Sequence, residues 1–208
     1  MPCRVGEPVC YDKSLDPEGP FCFIYSTIFK KLLLCLPFAS FERALLTELN
    51  VAPAQLHLNN WAFVRAFSIL CHHFGNLPSV DVFLYFFEAK SSGKKLWVSF
   101  NGVARRVFIT LFQQSYKGFK GKFFKIRCNL DGFPLYWTKK PGLKKPRCLE
   151  DLPAQEREMC EFFSNLRVVF SSSELIKHEY CPTSFKAYIG TPSPLYLLAL
   201  LCLCVLFV

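Results

Sequence analysis

The chain has 208 residues, 51% of them hydrophobic and 23 of them phenylalanine, and its formal net charge is +9. That composition excludes a largely disordered chain and allows one sizeable core with at most a small appendage. Eleven cysteines raise the prospect of a secreted disulfide scaffold. The polar start has no signal-peptide core and the count is odd, so free thiols in a reducing, intracellular setting (cytoplasm or nucleus) are expected instead.

Residues 1–19 hold Pro2, Pro8 and Pro17 and read as a polar leader. Pro20 suits a first helical turn, and Phe21 to Leu34, apolar nearly all round, predicts a buried helix. Lys30 and Lys31 argue against that run crossing a membrane. Ser40 is the expected cap of a second helix, with Phe41, Leu45 and Leu49 on one apolar face and Glu42, Arg43 and Glu48 off it. Asn50 and Pro53 close it. Asn59 or Asn60 is expected to cap the next helix, in which Phe63, Phe67, Leu70 and Phe74 form a stripe at 3.6 spacing and Trp61 and Val64 widen it. Arg65, Ser68 and His72 mark another face. Gly75 to Pro78 is a turn, and Ser79 caps a short helix over Val80 to Ala89, broken by Ser91-Ser92-Gly93.

The period then changes. Leu96 to Phe100 reads as a strand by composition, Asn101-Gly102 as a hairpin turn, and Val103 to Phe112 as the return strand. Ser115 to Gly121 is a short basic loop or helix. Phe123 to Cys128 and Phe133 to Thr138 are two further strands, with a turn at Asp131-Gly132. Lys139 to Arg147, KKPGLKKPR, is expected to be an irregular exposed basic loop. A helix returns near Asp151, with Met159, Phe163 and Leu166 inward and Glu156, Glu158 and Glu161 outward. Ser171 and Glu174 match a capping box for a last helix ending near Tyr180. The fold class is therefore α+β: a helical N-terminal part, a strand-rich basic centre, C-terminal helices and a short apolar tail. Leu195 to Val208 is apolar throughout, yet 14 helical residues reach about 21 Å, short of a bilayer core of about 30 Å. That tail is expected to be either a frame accident or a weak membrane anchor.

The stretch LPFxxFERALLTELNVAPAQLHxNxWAFVRAFxILC, followed in order by VFLYFFEAK, WVSFNGV, QSYKGFKGKFFK, FPLYW and EFFSNL, resembles the plant transposon protein family, the gypsy-type transposase domain of plant retrotransposons. The resemblance runs from roughly Gly19 to Gly190. It divides the chain into a leader at 1–19, a gag-like domain at 20–190 and a tail at 191–208. It implies a non-catalytic protein that self-associates or binds the element's RNA or DNA, and it supplies no catalytic residues. A decayed copy without activity is the alternative. The family reads QLHPNSW where this chain has Leu58 and Asn60, so the turn before Trp61 is expected to be looser.

Chemistry concentrates in the basic middle. Lys90 to Arg147 holds 15 Lys/Arg against one acid, Asp131, a net +14, and the remainder carries −5. Lys94, Lys95, Arg105, Arg106, Lys117, Lys120, Lys122, Lys125 and Arg127 alternate with Trp97, Phe100, Phe108, Tyr116, Phe119 and Phe124. Cations that release counterions from phosphates, beside rings that stack on bases, suit single-stranded nucleic acid. The opposing expectation is a half-buried surface with rings inward and cations in water. Lys139, Lys140, Lys144, Lys145 and Arg147 add a flexible phosphate-binding or nuclear-import segment. Cys71-His72-His73 lacks the spacing of converging zinc ligands, so no metal is expected. His57 and His178 lie in no nucleophile elbow, and His57 reads as a turn-stabilising hydrogen-bonder. No glycine-rich phosphate loop occurs. No enzyme, cofactor or small-molecule substrate is expected.

Overall fold

The computed structural model describes residues 20–92, 97–110, 122–127, 133–166, 168–179 and 182–189. The chain divides into two compact units, Met1–Ile176 and Lys177–Val208. Helices and short two-stranded sheets alternate, an α+β fold.

The run expected to be one helix is a strand followed by a helix. β1 (Phe21–Tyr25) is buried along its whole length, and α1 (Ser26–Leu32) continues from it without a break. Five apolar residues in succession satisfy a strand covered on both faces as well as a buried helix, and tertiary pairing decides between them. β1 pairs antiparallel with β5 (Phe123–Arg127), Phe21 opposite Arg127 and Tyr25 opposite Phe123. The Tyr25 hydroxyl donates to the Ala54 carbonyl at 3.0 Å, so its one polar atom is satisfied in the core.

α2 (Ser40–Glu48) and α3 (Leu58–His73) form the expected pair. Ser40 is the first helical residue of α2, not its cap; Ala39 occupies the cap position and makes no side-chain bond. Phe41, Leu45 and Leu49 are buried as expected, but Glu42 is buried with them, 3% exposed. α3 is capped by neither Asn59 nor Asn60. His57 caps it, its Nδ1 accepting from the Asn59 N–H at 3.2 Å. Most of the helix lies inside: Trp61, Phe63, Phe67 and Leu70 are buried, and so is Ser68, which the sequence placed on a polar face, while Arg65 is half-buried and His72 exposed.

The turn before Trp61 is tied down rather than loose. Leu58 is fully buried. Asn60 is also buried; its Nδ2 donates to the Val98 carbonyl at 3.0 Å and its Oδ1 accepts from the Phe100 N–H at 2.9 Å. The side chain thus satisfies an outward-facing donor and acceptor of β3 and joins that strand to α3. The Trp61 indole N–H donates to the Pro53 carbonyl at 3.1 Å.

α4 (Val80–Phe86) starts where expected, with the Ser79 hydroxyl accepting from the Asp81 and Val82 N–H groups. It ends earlier than expected, because Phe87–Ser92 is strand β2, antiparallel to β3 (Trp97–Gly102). The hairpin therefore precedes β3. Asn101-Gly102 lies in the ladder opposite Glu88 and Phe87 and makes no hairpin turn. Gly102 is needed for another reason: a Cβ there would fall 2.6 Å from Val107 Cγ2. Within the described residues the expected return strand is limited to β4 (Ile109–Thr110), which pairs parallel with β6 (Phe170–Ser171); Leu111 and Phe112 lie outside them. Phe133 to Thr138 forms no strand. The turn at Asp131-Gly132 and the segment Ser115 to Gly121 lie outside the described residues.

α5 (Ala154–Asn165) packs on α4 through Met159, Cys160 and Phe163. α6 (Ser172–His178) begins with the Ser171 hydroxyl accepting from the Glu174 N–H at 3.4 Å. The unit boundary falls inside this helix, and α7 (Pro182–Ile189) belongs to the second unit. In that unit His178 Nδ1 is hydrogen-bonded to Ser184 Oγ, and its ring stacks on Tyr188.

Replacing Asn60 by leucine keeps the branched shape but leaves the Phe100 N–H buried without its acceptor. The expected cost is about 2 kcal/mol, or roughly 4–8 °C in thermal midpoint for a domain of this size. An unchanged midpoint in a thermal melt would remove Asn60 from this role.

Candidate nucleic-acid interface

Pro141, Gly142 and Pro146 interrupt Lys139 to Arg147, and the segment is irregular as expected. It is not a flexible segment. It is a strap fixed to the first unit at every second or third residue. The Gln55 amide, fully buried, both donates to the Thr138 carbonyl (2.9 Å) and accepts from the Thr138 N–H (3.0 Å). Asn50, in the left-handed conformation at φ 48°, donates to the Lys140 carbonyl at 3.1 Å. The Gly142 N–H donates to the Leu49 carbonyl at 2.6 Å, and a Cβ at Gly142 would lie 3.0 Å from the Glu48 carbonyl oxygen. At the far end the Arg147 N–H donates to the Leu84 carbonyl at 3.0 Å.

The strap's five cations divide into two sets. Lys144 and Arg147 fasten it. Arg147 Nε meets Asp81 Oδ1 at 2.7 Å, its Nη2 meets Glu48 Oε1 at 2.8 Å, and Lys144 Nζ meets the same oxygen at 3.1 Å. Burial alone raises the pKa of Glu48, but the hydrogen bonds and charges of Lys144 and Arg147 outweigh it and hold the carboxyl below its ordinary value. Burial likewise disfavours charged Arg147, and Asp81 and Glu48 together overcome it, raising the guanidinium pKa. Lys139, Lys140 and Lys145 are exposed and form no ion pair among the described residues. Leu143 stands among them, 47% exposed.

Lys94, Lys95, Lys117 and Lys120, with Tyr116 and Phe119, lie outside the described residues. Lys122 is exposed, and its carbonyl accepts from the Ser26 N–H. Lys125 lays its ammonium 4.0 Å over the Phe21 ring. Arg127 is exposed at the end of β5, opposite Phe21. Phe21 also meets Tyr136 edge-on at 5.7 Å, which brings this end of the β1–β5 pair to the start of the strap. Arg106 is half-buried, with its guanidinium 4.1 Å over Tyr85 and Nη1 donating to the Tyr85 and Arg147 carbonyls at 3.1 Å each. Arg105 is exposed on the turn before it.

The rings expected to stack on bases are mostly core. Phe100 and Phe108 are 1% and 3% exposed. Trp97 is half-buried between Tyr25, His57 and Trp137. Only Phe124 among these described rings is exposed, resting on Phe29. Strand alternation explains the sorting: Phe100 and Val98 face inward beside Ala89 and Ser91 of β2, while Ser99 and Asn101 pair with Lys90 and Glu88 on the other face.

The Cys71 thiol is buried and its pKa is driven up by desolvation, while His72 is exposed. Among the described residues no group of three His, Cys, Asp or Glu is placed to hold a metal ion, and no helix is long and apolar enough to cross a membrane. Leu195 to Val208 lies outside the described residues.

The acids that fasten the strap went unread in the sequence. Glu48 is 99 residues from Arg147 and Asp81 is 66, and no local pattern links them. Against family models, curated proteins and solved structures, the chain finds no match.

A carboxylate whose folded-state pKa is lowered contributes stability above its unfolded value, about 4.5, and loses it as pH falls through the folded value. Glu48→Gln is therefore expected to lower stability at pH 7 by about 1 kcal/mol or less, since the pairs are about a third exposed and screened. The gap from wild type is expected to narrow progressively as pH falls below 4.5. Thermal melts of both proteins across pH 3–8 check this; a gap undiminished at pH 3 would count against it.

Proposed function

We propose that the chain is a non-catalytic, gag-like nucleic-acid-binding protein whose strap, Lys139 to Arg147, contacts the phosphate backbone. The observation that carries this reading is the set of three exposed lysines, Lys139, Lys140 and Lys145, without acidic partners among the described residues, on a backbone hydrogen-bonded to the fold. Each phosphate neutralised releases counterions, so attraction needs no base-specific contact. A strap already ordered loses little conformational entropy on binding, unlike a free basic tail. Arg127, opposite Phe21 and so near the start of the strap through Tyr136, is a further exposed cation beside it. The inward placement of Phe100 and Phe108 supports backbone contact rather than base stacking. The resemblance to the gypsy-type family points to the same class of partner.

The test is retention on immobilised nucleic acid. Wild-type protein is expected to bind at low salt, with log affinity falling linearly in log salt at a slope near 0.9 per phosphate on duplex. The triple variant K139E/K140E/K145E is expected to lose retention with its thermal midpoint unchanged. Wild-type protein that fails to bind at low salt, or a triple variant retained equally, would overturn the reading.

A further inference from the structure

A cavity of about 200 Å³ opens between the turn carrying Arg105 and Arg106, the end of α5 and the residues leading into β6. Its floor is Phe108 and Phe163, both buried, with ring centroids 4.9 Å apart and nearly parallel. Its walls are Val107, Val168 and Val169, which are 41%, 50% and 54% exposed. Three half-exposed valines in one place form an apolar surface that a soluble fold gains nothing by showing to water.

The two arginines give the cavity its sign. Neither Arg105 nor Arg106 forms an ion pair among the described residues. Arg106 is half-buried and held in place by Tyr85 and two backbone carbonyls, so its guanidinium cannot swing away. A charge withdrawn from water is costly unless a counter-charge meets it. Arg105 adds a second observation. It is the third residue of a tight turn closed by the Arg106 N–H donating to the Val103 carbonyl at 3.0 Å, and its φ is 65°. Glycine adopts that conformation freely; a side-chain-bearing residue there costs about 1 kcal/mol. The chain therefore keeps a strained arginine at the rim where a glycine would relax the turn. Val107, packed on Gly102, fixes the same turn against β3.

We propose that this pocket binds a carboxylate carried on a compact aliphatic or aromatic group, with Arg105 and Arg106 taking the carboxylate and the valines and phenylalanines taking the apolar body. Guanidinium and carboxylate match in planar, two-pronged geometry. A dry cavity of about 150 Å³ accommodates benzene, so this one suits a body of similar or slightly larger size. A nucleobase fits less well, because valine walls leave its polar edges unpaired. The ligand arrives either as a free acid or as the C-terminal residue of a peptide; the recognised chemistry is the same. The site is distinct from the strap lysines and does not rest on their role.

Calorimetric titration of the full chain tests this with four probes: 4-methylpentanoate, its uncharged amide, the dipeptide N-acetyl-Gly-Leu and adenosine monophosphate. The acid, the dipeptide or both are expected to bind saturably and at least tenfold more tightly than the amide. Which of the two binds identifies the source. R105G is expected to lose at least tenfold in affinity while melting at or above the wild-type temperature, because the substitution relieves the turn. R105Q, which keeps the turn strain but not the charge, is expected to lose affinity equally. Equal binding of acid and amide, no binding of either carboxylate, undiminished affinity in both Arg105 variants, or tighter binding of the nucleotide would each overturn the proposal.

Discussion

Phe67 is the point on which the architecture closes. Its ring meets Phe41 of α2, Phe83 of α4, Phe108 before β4 and Phe163 of α5 at centroid separations of 5.5, 5.3, 6.4 and 6.1 Å. α3 is apolar nearly all round, so one neighbouring layer cannot cover it, and helices and strands must converge on it from several sides. Burying one such ring is worth about 2–3 kcal/mol, and edge-to-face or stacked neighbours add about 0.5–1.5 kcal/mol per pair. The small sheets follow from this demand. β2 and β3 place Phe87 and Phe100 against Phe83, and the β4–β6 pair holds Phe108 on Phe163. None of these two-stranded pairs would be stable alone.

The same demand shapes the surface. Phe100 and Phe108 of the basic centre are drawn inward, away from its cations. The fold then sorts the cations by partner. Arg147 and Lys144 meet Glu48 and Asp81 and become fasteners. Arg106 becomes a bracket between Tyr85 and the strap backbone. The lysines left over face water on a backbone that cannot retreat. Charge density in the sequence thus overstates the number of cations without an internal task.

Much of this order was legible in the residues. The α3 stripe, the Ser79 and Ser171 caps, β5 and the irregular strap follow from spacing, capping chemistry and proline placement. Phe21–Tyr25 was misread because a short, fully apolar run has no period to distinguish strand from helix. Asn101-Gly102 was misread because the local turn signal is the same whether glycine serves a turn or a close approach, and here Val107 makes the approach. Leu58, in place of the family pattern's proline, implied a looser turn, yet Asn60 two residues on is a polar link between α3 and β3. The positive region was visible as composition. Its division into fasteners and exposed lysines was not, since the deciding acids are distant in sequence.

The central claim is that folding itself separates the strap lysines into Lys144, ion-paired to Glu48, and the outward-facing Lys139, Lys140 and Lys145. Lysine-selective acetylation followed by mass spectrometry, with and without a single-stranded oligonucleotide, measures that separation residue by residue. The account predicts rapid labelling of Lys139, Lys140 and Lys145 that the oligonucleotide suppresses, and slow labelling of Lys144 in both states. Lys144 labelling as fast as Lys145 in the free protein, or no suppression at the three exposed sites, would contradict it.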